Sequence, residues 1–404
     1  MTAHRPDVLL LATPLAIISA WSVLNRPRGA PDVTCPSTLP VLREGQSLTW
    51  VLRVSRMRGA PQATLIAARP LWAEMRPPLG AVTAAAPDHE APIELRLTFR
   101  STRWGKRPVG RAVVIMTSEW GAFRWGPIPV QPRTLTTLPL PAVFDSKAPA
   151  PHPVGLVGLY RSAHQGDGSE FATIRPFHVG DRLRRISWPV SLRTRQLHVT
   201  STYADQDTQV MLIVDASNDV GDSGGVDGAQ SSLDLTMRAA GAIGEHYLHH
   251  GDRVGLRVFG ASSSIRLEAA SGQQQLRRLL DHLASVTPGQ SRGDLAQATR
   301  RIGVGSLVVM LSAAVSSAPL QQAVVLSQRG LAVIVIDTLP TSMASDTDPD
   351  VALAWRIRRL ERGMEIRRVT AAGVPIVSWH GPGSLDLVLR DLQRRARAPH
   401  RVLR

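Results

Sequence analysis

The stretch QVMLIVDASND (209–219) decides the fold of this chain. Val210 to Val214 run apolar without a break, bounded by Gln209 and Asp215. A run that short and continuous reads as a strand buried on both faces, as in a parallel sheet covered by helices. The polar turn DASND (215–219) follows at once. Ligand sites in open α/β sheets lie at the carboxyl ends of central strands. Asp215, Ser217 and Asp219 therefore stand where a site belongs.

Toward the C-terminus the same rhythm repeats. SSLDLTMRAAGAIGEHYLHH (231–250) has helical spacing, and RVGLRVF (253–259), SLVVMLS (306–312) and LAVIVID (331–337) read as further strands. Helices are expected near 273–285, 320–328 and 351–361, then the strand VPIVSW (374–379) and a last helix from Ser384. Such alternation specifies a doubly wound, Rossmann-like α/β sheet with right-handed crossovers, here over 206–398. The histidines His246, His249 and His250 fall in the last turn before Gly251, where they favour the negative end of the helix dipole.

Toward the N-terminus the pattern changes. SLTWVLRV (47–54), IELRLTF (93–99) and RAVVIMT (111–117) alternate apolar and polar residues, broken by Pro and Gly, which predicts a small β-sandwich over 33–145. SKAPAPHPVG (146–155) reads as a linker. Ahead of the sandwich, Val8 to Leu24 carries no charge and is flanked by Arg5, Arg26 and Arg28. This run predicts an N-terminal membrane segment over 1–28, with a signal peptide cleaved near Ala20 as the rival reading. The arginines after it place the following domains on the cytoplasmic side of the cell membrane.

Composition narrows the function. The 404 residues include 47 Lys+Arg against 32 Asp+Glu, a net charge of +15, with lysine only at 106 and 147. That balance favours anionic partners or surfaces. Neither lysine follows a glycine loop, so the chain lacks the phosphate-binding lysine of a P-loop ATPase. No G-x-S-x-G directly closes an apolar strand, and no G-x-G-x-x-G follows one. The single cysteine, Cys35, excludes an intramolecular disulfide. These features point away from an enzyme.

Positive charge concentrates just before the central strand. FHVGDRLRRISWPVSLRTR (177–195), with Arg175 ahead of it, surrounds Ile186 and Trp188 with arginines. Two arrangements suit it. Arg175, Arg184 and Arg193 can pair with Glu170 and Asp181, locking the segment around a buried Trp188, since the planar guanidinium suits bidentate pairing. Arg182, Arg185 and Arg195 are left to face an acidic partner. A basic surface for nucleic acid or anionic membrane is the alternative. Stacking aromatics for nucleic acid are scarce, at 4% of residues.

The stretch 168–199 resembles the signature of the bacterial "domain of unknown function 58" family. Its pattern is met by Gly168, Glu170, Phe171, Ile174, Arg175, Phe177, Gly180, Asp181, Arg184, Ile186, Trp188, Ser191, Arg193, Leu197 and Val199. Pro189 and Leu192 depart from it. RWGKRPVG (103–110) and SEWGAFRW (118–125) resemble the family's upstream segments. DASND is similar to the D-x-S-x-S loop of von Willebrand factor type A domains, in which a carboxylate and hydroxyls hold a divalent cation. The resemblance implies a signature segment over 154–205 and a type A domain after it. It implies a membrane-associated, non-enzymatic adaptor that works with a MoxR-like AAA+ ATPase on an unidentified client protein. The type A metal site is degenerate in this chain. Gly293 stands where its second-loop threonine belongs, with Ser291 displaced, and Ala313 stands where its third-loop aspartate belongs. Asp215, Ser217 and Asp219 are then expected to bind Mg²⁺ weakly or not at all. No cofactor is expected.

Overall fold

The computed structural model describes residues 6–24, 26, 29–36, 39–55, 59–86, 91–118, 121–140, 165–178, 183–203, 209–289, 295–300, 302–303, 306–340 and 349–380, with backbone alone at 6–9, 165–172, 184, 201–203 and 297. It is a mixed α/β protein whose chain divides into two compact units. One comprises Met1–Leu140 with Ser223–Ala229 and Leu283–Ser285, and the other holds the rest.

In the first unit, β1 (Val33–Thr34), β3 (Ser47–Val54), β7 (Ile93–Ser101) and β5 (Ala73–Arg76) form one sheet in that order. A second sheet runs β10 (Arg124–Val130), β9 (Ala112–Thr117), β4 (Gln62–Ala67), β6 (Ala81–Ala85). A third joins β2 (Leu42–Arg43), β11 (Arg133–Leu138) and β8 (Gly105–Val109). Alternation places Trp50, Leu52 and Val54 on one face of β3, opposite Leu97, Leu95 and Ile93 of β7. That face shares one buried core with Ala63 and Leu65 of β4 and Val114 and Met116 of β9. Two four-stranded sheets sharing an apolar interior make a sandwich. Cys35 packs at its margin, accepting the indole N–H of Trp50 at 3.1 Å.

The N-terminal run forms helix α1 (Pro6–Leu24), with Leu10, Leu11, Leu15, Val23 and Leu24 exposed. Among the described residues, however, no helix is long and apolar enough to cross a membrane. The expected membrane segment is therefore unsupported. The uncharged run of α1 is 17 residues from Val8 to Leu24. At 1.5 Å per residue that is about 26 Å, short of the roughly 30 Å hydrocarbon layer.

The second unit is built on six strands ordered β16 (Ile265–Ala270), β15 (Arg253–Phe259), β14 (Gln209–Asp215), β17 (Leu307–Ser312), β18 (Ala332–Asp337), β19 (Ile376–Ser378). All neighbours are parallel except the edge pair β15–β16. Strands β14, β15, β17 and β18 match the apolar runs in the sequence to within a residue. A separate two-stranded antiparallel ribbon pairs β12 (Gln165–Pro176) with β13 (His198–Tyr203). Between its strands lies helix α2 (Trp188–Thr194).

Helix α3 (Ser232–His249) has 16 buried residues out of 18. Its start is fixed by a capping box: Ser231 accepts the Asp234 N–H, and Asp234 accepts the Ser231 N–H. Helices α4 (Gln273–Ala284), α5 (Leu295–Ala298) and α6 (Ala318–Gln328) follow. Buried Arg257 of β15 reaches the end of α5, donating to the carbonyls of Ala298 and Arg300 at 3.2 and 2.7 Å. Helix α7 runs Pro349–Ala371, 23 residues where the sequence predicts about half that. Ile366 and Val369 join Leu320, Ala323 and Leu326 of α6 in the core against β18. The expected last helix from Ser384 falls outside the described residues.

Candidate functional site

Parallel strands end on one side of the sheet, and here they end on polar residues. Register places Ser312 of β17 beside Asp337 of β18, and Asp337 beside Ser378 of β19. Asp215 ends β14 one step beyond the Val214–Leu311 pair, and so lies next to Ser312. The carboxyl edge is thus a row of Asp215, Ser312, Asp337 and Ser378.

Each carboxylate in this row already has donors. Asp215 accepts the Ser217 N–H at 3.0 Å through Oδ1 and the Ser312 hydroxyl at 2.5 Å through Oδ2. The Ser312 oxygen in turn accepts the Ala314 N–H at 2.9 Å. Ala314 sits at φ 49, in the left-handed region, which turns the chain sharply after β17. Asp337 accepts the Leu339 N–H at 3.0 Å and forms an ion pair with Arg362 of α7. Next to it, Thr338 and Thr236 share a buried hydroxyl contact at 2.7 Å.

The DASND loop therefore does not gather its oxygens around one point. Asp219 turns to the start of α3 and accepts the Leu233 N–H at 3.1 Å, as an acid near a helix N-terminus does. Ser217 is exposed, and Gly260 at the end of β15 presses against it. A Cβ at Gly260 (φ +73) would lie 2.5 Å from the Ser217 Cα, so only glycine fits there. Among the described residues no group of three or more His, Cys, Asp or Glu could hold a metal ion. A hard divalent cation needs about six oxygens. Asp215 has both of its oxygens committed, Asp219 points elsewhere, and a guanidinium already neutralises Asp337. Among the described residues, these side chains do not bring enough oxygens to one point for a divalent ion. Ser291 and Gly293 lie outside the described residues.

Two arginines of α7 complete the edge. Arg362 Nε donates to the Ala313 carbonyl at 3.0 Å, and Arg358 Nε donates to the Val315 carbonyl at 2.7 Å. Glu365 holds Arg358 with two bonds, at 3.2 and 3.1 Å, and Glu361 adds a third at 3.1 Å. These hydrogen bonds, chiefly from Glu365, push the Arg358 guanidinium further up. The sequence reading missed Ser312, Asp337, Arg358 and Arg362. A polar residue closing each apolar strand was the available signal for the first two.

The signature segment departs from its expected packing at one residue. Ile186, half-buried, bridges to Val199, which is buried. Trp188, expected in the core, is instead 60% exposed. It is the first residue of α2 and is followed by Pro189, so its side chain leaves the helix ahead of the packed turn. Leu192, four residues on and on the same face, is 77% exposed. The buried anchor of α2 is Ser191, which donates to the Ser187 carbonyl at 2.8 Å and accepts the His198 N–H at 2.9 Å.

The arginines lie around that exposed face. Arg193 is in the last turn of α2, where a cation suits the helix dipole, and Arg195 closes the helix in the left-handed region at φ 54. Both are exposed, while Arg185 is half-buried. Arg175 donates to the Pro176 carbonyl at 3.1 Å. The expected pairing with Glu170 and Asp181 falls outside the described residues, which omit Gly180, Asp181, Arg182 and the side chains of Glu170 and Arg184.

Residues 173–346 match the family described as "Protein of unknown function DUF58". This region is similar to that family. The chain is 34% identical over 137 residues to uncharacterized protein Mb1516 of Mycobacterium bovis, covering 33% of this chain and 42% of that protein. Uncharacterized protein Rv1480 of Mycobacterium tuberculosis matches with the same figures. The chain thus spans less than half the length of these relatives. Among solved structures, the cupredoxin domain of amoB from Nitrosocaldus yellowstonii is 13% identical, with a TM-score of 0.15, covering 26% of this chain and 64% of that one.

Proposed function

We propose that this protein is a non-enzymatic adaptor that binds a MoxR-like AAA+ ATPase and a client protein. The observation that carries the reading is the exposed Trp188–Leu192 face of α2, set beside Arg193 and Arg195. Tryptophan and arginine are the side chains that most often dominate binding energy when a partner buries them. Arginines at the rim would steer an acidic partner toward the tryptophan. The six-stranded α/β unit acts in this reading as a von Willebrand type A-like platform. At its carboxyl edge Asp337 pairs with Arg362 and Asp215 accepts the Ser312 hydroxyl, so in this reading recognition needs no Mg²⁺. The lack of a P-loop lysine fits a chain whose energy comes from a separate ATPase.

The test is binding of the full chain to the MoxR-type ATPase of the same genome, followed by calorimetry. Trp188→Ala and Arg195→Glu should each weaken binding at least about tenfold, the effect of losing an interface hot spot. The melting temperature should stay unchanged, and EDTA should have no effect on binding. Loss of binding in EDTA, or full binding by the Trp188 variant, would overturn the reading. The exposed indole among arginines also favours a second reading, single-stranded nucleic acid, which stacks on such platforms. Quenching of Trp188 fluorescence by oligonucleotide, falling steeply with salt, would replace the first reading with the second.

A further inference from the structure

Helix α7 is amphipathic in reverse. Its inner face carries Trp355, Arg358, Arg362, Glu365, Ile366 and Val369, all at least partly buried. Its outer face carries Leu353, Ile357, Leu360 and Met364, exposed by 57, 51, 66 and 46%. At 3.6 residues per turn these four fall within about 60° of one another, and about 180° from Trp355. Their spacing of four, three and four residues is the seam that a partner helix fills with knobs-into-holes packing. An apolar stripe of this length on a face the domain leaves open marks an interaction site.

We infer that this stripe is the docking seam for an amphipathic helix of a partner protein, one that carries carboxylates along one edge. The inference rests on the adaptor reading only in taking the chain to work by binding. Charge chooses the occupant. Arg356 and Arg367, both exposed, line one edge of the stripe. They lie 11 residues apart, which is about 16 Å along the axis. On the other edge Arg368 is exposed, Glu361 is engaged by Arg358, and Asp350 lies in the first turn. A second copy of α7 would bring a basic edge against the same seam, whereas acids about three turns apart on a partner helix would pair with Arg356 and Arg367. A helix lying in a lipid surface carries a broader apolar face with interfacial aromatics. Here the stripe is two residues per heptad wide, and the one tryptophan of α7 faces inward.

The probe is a synthetic peptide of about four heptads, with leucine at the seam positions and glutamate along one edge, titrated into the full chain and compared with a lysine-edged counterpart. The glutamate peptide should bind at least about tenfold tighter than the lysine peptide. Leu360→Asp should abolish binding without changing the circular dichroism melt, because Leu360 is exposed. The double variant Arg356→Glu/Arg367→Glu should reverse the preference between peptides. Absence of binding, or equal binding by Leu360→Asp, would overturn the inference. So would a dimer, or adhesion to phosphatidylglycerol vesicles, that Leu360→Asp removes, since the occupant would then be a second copy or a membrane. A chain that binds the ATPase through Trp188 but ignores both peptides would lose this seam and keep the adaptor reading.

Discussion

Helices α3 and α7 belong to the same α/β unit but are held in different ways. Helix α3 buries 16 of its 18 residues, and its first turn is closed by the capping box. Helix α7 buries only Val369 of its 23 and is fastened by directional bonds from Arg358 and Arg362 to the loop after β17. Burial stabilises α3 in proportion to the apolar surface removed from water. The tethers of α7 give much less, about 1.5–3 kcal/mol for each bond to a charged group. What α7 gains is freedom of composition. Its leucines are not needed inside, and they stand on the surface.

The contrast predicts a ranking. Met237→Ala in α3 removes a fully buried side chain and should cost about 2–5 kcal/mol, read from urea unfolding of the full chain. A loss below 1 kcal/mol would mean that α3 is held less by packing than its burial implies.

Arg362→Met in α7 leaves the buried Asp337 carboxylate without its cation and the Ala313 carbonyl without its donor. The expected loss is smaller, about 1–3 kcal/mol, with the larger part recovered in Arg362→Lys. An unchanged midpoint would show that α7 does not depend on its tethers.

The smallest effect is a pH dependence confined to α3. Burial pushes the Tyr247 phenol well above its ordinary value of 10.0, with Asp252 adding to the rise. A raised pKa in the folded state means that the unfolded chain loses this proton first. The stability it supports is fully present below pH 10 and declines above it, by about 1.4 kcal/mol at pH 11. Tyr247→Phe should flatten that slope between about pH 9.5 and 11 in urea unfolding of the full chain. A slope that persists in the variant would assign it elsewhere.

Much of this contrast could be read in the sequence. Strands β14, β15, β17 and β18 announce themselves as continuous apolar runs, and α3 shows helical spacing from its capping serine onward. Helix α7 shows half its length, because Arg358 and Arg362 interrupt its inner face while leucines stand on its outer one. The outer stripe has a helical period, but with apolar residues on both faces it marks neither the packed face nor the end of the helix. Trp188 misled for a related reason. A tryptophan among arginines reads as a core residue, and only the placement of Pro189 at the start of α2 shows the indole leaving the fold. Arg362 gives no local sign of its role, since its partner Asp337 lies 25 residues earlier across a strand end and a connecting segment. The separation of Asp219 from Asp215 likewise depends on where α3 begins.

The two margins of the six-stranded sheet carry a further consequence. On one side β16 runs antiparallel to β15 and bears Arg266 and Glu268, paired at 2.8 Å. On the other, β19 is three residues long. A long bare margin invites another strand to add on, which is the usual start of aggregation. A charged margin and a very short one give a foreign strand little to extend. The unit can therefore expose apolar side chains on its helices and still resist polymerising through its sheet.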